Sequence, residues 1–189
     1  MHIETTWRII PTATPTIIRH CSKCNRKTNY YCSNKFRVNA NQSRVDIWLI
    51  YKCTKCDSTW KLATNKGIRP HELPAGLFDQ FIDNDAALAW QYAFDRNFLK
   101  QHSCEVDYTN VGYTVENTNE YKSDTPLLAH VNSQYSFDLK LSALLAKMLD
   151  TSIGQIKRLA DAGQISTDPE INIMKHKIKA DHCIAIKVW

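Results

Sequence analysis

Glycine is scarce in this chain, with five among 189 residues. That leaves no Gly-rich loop to cradle a phosphate, which excludes the nucleotide chemistry built on such loops. No apolar run approaches the ~18 residues of a membrane span. The first residues, MHIETTWRII, lack a basic stretch followed by an apolar one, so no secretory leader is read here. Nor do Ser, His and Asp occur in an order that marks a catalytic triad. The expectation is a cytoplasmic protein that is not an enzyme, with no membrane association.

Acidic residues are also missing, but only locally. Residues 1–69 carry 13 Lys/Arg against 3 Asp/Glu, a charge of +10, while residues 70–125 carry 3 against 10, a charge of −7. The remainder is +2, and the whole chain +5. A basic excess confined to one segment is what a polyanion-binding face looks like. The competing reading is a solvated basic surface that docks on the chain's own acidic middle.

Cysteine, by contrast, is plentiful, and four of the seven form two Cys-x-x-Cys pairs, Cys21/Cys24 and Cys53/Cys56, with 28 residues between the pairs. Each pair supplies two thiolates from one tight turn, and four thiolates complete a closed tetrahedral zinc site with no position for substrate. One structural Zn²⁺ per chain is expected; redox dithiols and iron–sulfur ligation are the competing uses. A metal staple also suits a chain of this length, whose halves alone would bury little core. Cys32, Cys104 and Cys183 read as small buried hydrophobes, although Cys32 and His20 are spare candidate ligands. The zinc deaminases join His-x-Glu to Cys-x-x-Cys. His2-Ile3-Glu4 matches the first half of that pattern, but neither cysteine pair follows a proline.

Between the pairs the residues alternate with the period of a strand. Phe36, Val38 and Ala40 fall on one face and Lys35, Arg37 and Asn39 on the other; Asn39 to Ser43 is the turn. On the return, Val45, Ile47, Leu49 and Tyr51 alternate with Asp46, Trp48, Ile50 and Lys52. STWKLAT reads as a third strand. Ahead of the pairs, Pro11 and Pro15 make residues 1–20 an extended arm with short strand pieces rather than a helix. From Leu73 to about His102 apolar residues take helical spacing, with Asp83-Asn84-Asp85 capping the second of two helices. CEVDYTNVGYTV predicts two short strands around Asn110.

ENTNEYKSDTP, residues 116–126, has the composition of a linker. Beyond it, Leu141, Leu144, Leu145 and Met148 make one helical stripe. Ser152 with Gln155 opens a second helix, which Gly163 ends. Strands are expected at Gln164–Thr167, Ile171–Lys175 and the terminal run holding Ile184, Ile186 and Val188.

The stretch KLSALLAKMLDTSIGQIKRLADAGQI resembles the S4 domain, a small RNA-binding module. Lys140-Leu141 stands where that family has Arg-Leu, and Ser142 and Ile153 stand where it has Asp and Arg. This resemblance implies phosphate contacts from Lys140, Lys147, Lys157 and Arg158. The whole chain, and above all IIRHCSKCNRKTNYYCSNKFRVNANQSRVDIWLIYKCTKCDSTW, also resembles the uncharacterised bacterial family named domain of unknown function 1062.

The fold class expected is therefore α+β. A zinc ribbon of antiparallel strands (residues 1–69) is followed by a helical extension (70–116), a linker (117–136) and a small S4-like domain (137–189). The metal ligands are Cys21, Cys24, Cys53 and Cys56. Basic residues interleaved with aromatics imply a nucleic-acid surface of Arg19, Lys23, Arg26, Lys35, Arg37, Arg44, Trp48, Lys52 and Lys55, with Lys27 a further cation and Tyr30 and Tyr31 further stacking candidates, whereas Trp60, at the end of a strand leaving the metal, is expected to pack in the core. The partner expected is a structured RNA of ribosomal or transfer type. The alternative is an acidic protein surface met by an adaptor, and a third reading is an enzyme whose reaction the sequence does not reveal.

Overall fold

The computed structural model describes residues 2–118, 126–180 and 183–189. The chain is mixed α+β with two five-stranded sheets, and it divides into two compact units: residues 13–111, and residues 1–12 with 112–189.

In the unit of residues 13–111 the sheet is antiparallel. It comprises β2 (Thr16–Cys21), β3 (Arg26–Asn41), β4 (Arg44–Cys53), β5 (Thr59–Ile68) and β6 (Glu105–Asp107), in the order β5-β4-β3-β2-β6. The hairpin is registered as its alternation predicts. Phe36 faces Leu49, Val38 faces Ile47, and the residues between them pair as Lys35 with Ile50 and Arg37 with Trp48. Two extra residues bulge out of β3 between Cys32 and Lys35, and Ser33 Oγ holds the bulge by donating to the Ile50 carbonyl at 2.8 Å. Because the bulge adds an even number, alternation survives it and one face stays apolar throughout.

That apolar face is covered by α1 (Leu77–Asp83), α2 (Ala86–Phe94) and α3 (Arg96–Gln101). Phe81, Leu88, Ala89, Ala93 and Leu99 join Ile47, Leu49, Tyr51 and Leu62 in one buried cluster. Phe36 meets Phe81 edge-on at 4.9 Å, and its backbone N–H donates to Asn84 Oδ1 at 2.7 Å. Asp85 caps α2 by accepting from the Leu88 N–H at 2.8 Å. Three helices replace the expected two. Asp95 accepts from the N–H groups of Asn97 and Phe98 at 2.9 and 3.0 Å, a second N-cap that restarts the helix.

The other unit holds a mixed sheet of order β7-β1-β8-β10-β9, built from β1 (Ile3–Pro11), β7 (Tyr113–Asn117), β8 (Leu127–Ser133), β9 (Ile165–Asp168) and β10 (Ile184–Val188). β1, expected in the module of residues 1–69, pairs parallel to β8 and antiparallel to β7, with Trp7 and Ile9 only 0% and 1% exposed. Residues 127–133, expected in the linker, are β8 itself; its Leu127, Ala129 and Val131 are buried. Part of the linker, residues 119–125, lies outside the described residues.

The helices α4 (Leu141–Met148) and α5 (Ile153–Asp161) form as the apolar spacing and the Ser152 cap predict, with Ser152 Oγ accepting from the Gln155 N–H at 3.1 Å. Gly163 takes φ of 70°, the left-handed value a glycine adopts freely at a helix end. The strand expected at Ile171–Lys175 is absent. Asn172 instead closes a turn, its carbonyl accepting from the N–H groups of Lys175 and His176 at 3.1 and 2.8 Å. Cys183 is exposed rather than buried, whereas Cys32 is buried and Cys104 half-buried.

Candidate functional site

Cys21 and Cys53 end β2 and β4, and the tight turns after them bring Cys24 and Cys56 back beneath. The four sulfurs lie within 4.8 Å of one another. Cys21 Sγ is 3.6 Å from Cys56 Sγ, and Cys24 Sγ is 3.9 Å from Cys53 Sγ. A tetrahedron of thiolates about 2.3 Å from a central zinc has edges of about 3.8 Å, so the cluster already has the size of a metal-thiolate site. Cys21 and Cys53 are buried, and Cys24 and Cys56 half-buried.

Hydroxyls surround the sulfurs. Ser58 Oγ lies 3.2 Å from both Cys21 Sγ and Cys56 Sγ, and Thr28 Oγ1 lies 3.3 Å from Cys53 Sγ. The Lys55 N–H donates to Cys53 Sγ at 3.5 Å. These groups separate the thiols electrostatically. The Ser58 hydroxyl, followed by that of Tyr30, holds Cys21 down to about 5, while Cys56 and then burial push Cys24 up to about 12. Such donors orient and steady metal-bound thiolates. Among the described residues this is the one group of three or more His, Cys, Asp or Glu side chains placed to hold a metal ion.

The basic residues of the sequence reading separate into distinct places. Register and burial set Tyr31, Lys35 and Arg37 of β3, Trp48 and Lys52 of β4, and Lys61 of β5 on the face opposite the three helices. Tyr31 pairs with Lys52; next, Lys35, Ile50 and Lys61 stand abreast; then Arg37, Trp48 and Ala63. Tyr31, Lys35, Arg37 and Lys61 are exposed and Trp48 is half-buried, with Lys61 Nζ 5.4 Å from the centre of its ring. Lys52 is engaged by Asp57 at 2.8 Å, and that carboxylate is held below its usual range first by Lys52 and then by Tyr31. Arg44 belongs to the tip of the hairpin and donates to the Gly67 carbonyl. Lys23 and Lys55 are exposed in the two cysteine turns and Arg26 is exposed at the start of β3. Lys27 is paired with Glu105 at 3.2 Å.

Two of the candidate contacts, Arg19 and Tyr30, fall on the covered side, together with Trp60, whose expected place is the core. Arg19 packs with its guanidinium 4.0 Å over Trp60 and 5.6 Å over Tyr30, and burial lowers its pKa. Tyr30 is buried, and Trp60 tilts against Tyr51 at 5.6 Å. Lys61, which the sequence reading passed over, is legible in retrospect as the residue between Trp60 and Leu62 in STWKLAT, since alternation must turn it outward. Ser58 and Thr28 carry no such signal, because their role exists only once four strand ends meet.

In the other unit Lys140 stands at the N-terminus of α4 and Lys147 near its end, its ammonium 4.3 Å over Tyr113. Lys157 and Arg158 are exposed on α5. Lys140 is also bridged antiparallel to Lys177, which pairs with Asp138 at 2.9 Å. Among the described residues no helix is long and apolar enough to cross a membrane.

No curated protein and no solved structure matches the chain. A family model described as "Protein of unknown function (DUF1062)" matches the chain from Val38, within the hairpin, through Cys53 and Cys56 to Ile171. Since residues 38–171 are most of its length, the chain belongs to the DUF1062 family.

Proposed function

We propose that this protein binds RNA on the outward face of the antiparallel sheet, and that a zinc ion held by Cys21, Cys24, Cys53 and Cys56 keeps that sheet in shape. The observation that carries the reading is the sidedness of the sheet. The acidic segment, with Asp79, Asp83 and Asp85, covers the apolar face, so Lys35, Arg37 and Lys61 are left exposed on the other. Phosphates attract such a face from a distance, and release of their counterions drives binding. Zinc, when bound, supplies a fixed tetrahedral crosslink and no open coordination position. The cysteines are the chain's contribution, with Ser58 and Thr28 orienting them.

The order α4, α5, β9 agrees with the S4-like reading of the C-terminal part, which adds Lys140, Lys157 and Arg158 as phosphate contacts. Lys147, lying on Tyr113, is less available for one.

The test is fluorescence anisotropy of labelled RNA across a salt series. Binding is expected to weaken by decades as salt rises, and Lys35→Ala, Arg37→Ala and Lys61→Ala combined are expected to flatten that dependence without loss of metal. A weak response indifferent to salt, or equal capture of an acidic protein and RNA, sinks the reading.

A further inference from the structure

We infer that the outward face takes an unpaired stretch of RNA and stacks its bases on Trp48 and Tyr31, rather than gripping a double helix. The inference rests on the RNA reading above and names the form of the partner.

Trp48 and Lys52 lie four residues apart on β4, and Tyr31 stands beside Lys52 on the next strand. At about 3.4 Å per strand residue, with strands about 4.8 Å apart, the two aromatic positions are about 14 Å from one another. Bases in a helix follow at about 3.4 Å and hide their faces against one another. Only an unstacked, extended strand offers one base to each ring. The row between the rings is Lys35, Ile50 and Lys61, two cations flanking an aliphatic side chain. A strand running from one ring to the other therefore passes its phosphates between the two ammonium groups.

Both rings are accessible to a ligand. Tyr31 is 39% exposed, and its hydroxyl donates to Asp57 at 2.8 Å, an edge contact that fixes the ring while leaving the phenol neutral. Trp48 is half-buried and covered in part by Lys61, yet a cation over a ring at the surface is held more weakly than a stacked base. An arriving base displaces the Lys61 ammonium, which then reaches a phosphate. A duplex gains only the phosphate contacts, because its deep major groove and stacked bases keep aromatics out.

The experiment compares an oligouridylate with a blunt RNA duplex of equal phosphate count, at one salt concentration, on the full metal-loaded chain. The oligouridylate is expected to bind at least about tenfold more tightly. Trp48→Leu is expected to weaken oligouridylate binding by about 5- to 150-fold, the range one base stack supplies, while leaving duplex binding and the salt slope unchanged. Trp48→Phe restores most of the loss. Lys35→Ala or Lys61→Ala does the reverse, lowering the salt slope by about 0.7 each. Metal content and the urea midpoint of each variant separate lost contacts from lost folding. Equal affinity for both RNAs, or a Trp48→Leu variant that binds both as the parent does, overturns the inference and leaves RNA binding standing. Failure of both RNAs to bind overturns the two together.

Discussion

Arg19 lies over Trp60, its guanidinium carbon 4.0 Å from the ring centre, on the side of the sheet that the helices cover. A residue that composition assigns to phosphate binding is thus part of the packing beside the metal cluster. Two aromatic faces lie against its charge, and partial burial lowers its pKa.

Replacing Arg19 by Ala is therefore expected to cost stability, about 1–2 kcal/mol, through the lost cation–π contact and the packing of its aliphatic stem. The salt slope of RNA binding should stay as it is. Urea unfolding and the anisotropy series read the two effects separately. A reduced slope with unchanged stability would return Arg19 to the binding surface.

Metal analysis of protein purified under reducing conditions is expected to give about one zinc per chain, with X-ray absorption placing sulfur at about 2.3 Å. Any one of the four cysteines changed to Ser should release the ion. Ser58→Ala, which removes the hydroxyl shared by Cys21 and Cys56, should weaken metal affinity by about 10- to 100-fold in chelator competition. A disulfide between Cys21 and Cys24 in freshly reduced protein is incompatible with the site.

Asp107 gives the fold an acid-sensitive contact. Its Oδ1 accepts from the Thr109 N–H at 2.9 Å and the Thr109 hydroxyl at 2.7 Å, and Asn29 Nδ2 donates to its Oδ2 at 2.8 Å. Thr109 first, and Asn29 after it, hold the carboxyl below its ordinary 3.8. The folded state thus favours the charged form, so the stabilisation is complete at neutral pH and is lost as pH falls from that ordinary value through the lower folded one. Asp107→Asn should cost about 1 kcal/mol at neutral pH. The gap between variant and parent should close in acid; a gap that persists there contradicts the assignment.

Lys140 and Lys177 are like charges joined by an isolated antiparallel bridge, with Asp138 paired to Lys177 at 2.9 Å. Lys140→Glu removes the repulsion that Asp138 leaves and is expected to stabilise the protein by about 0.3 kcal/mol in urea unfolding. If Lys140 also meets phosphate, the same variant should bind RNA less tightly. Stability and affinity then move in opposite directions, a result that a purely structural Lys140 does not produce.

Much of what neighbours along the chain set is legible in the sequence. Alternation placed Ile47 and Leu49 against Lys35 and Arg37, two Cys-x-x-Cys pairs announced the four-sulfur cluster, and Ser152 and Asp85 marked helix starts through their own side-chain oxygens. Asp95 was missed because a capping residue inside a continuous apolar stripe leaves the helical period intact.

The tertiary structure decided what joins distant segments. β1 stands outside the module expected for it because its partner β8 starts over a hundred residues later, and parallel pairing leaves no turn in the sequence to announce it. β8 itself follows a polar stretch that composition extended too far. The face on which Arg19, Lys61 and Trp48 finally stand depends on which side the helices cover, and that side is chosen by burial of Phe81, Ala89 and Leu99. Local periodicity tells which residues share a face; only packing tells which face meets water.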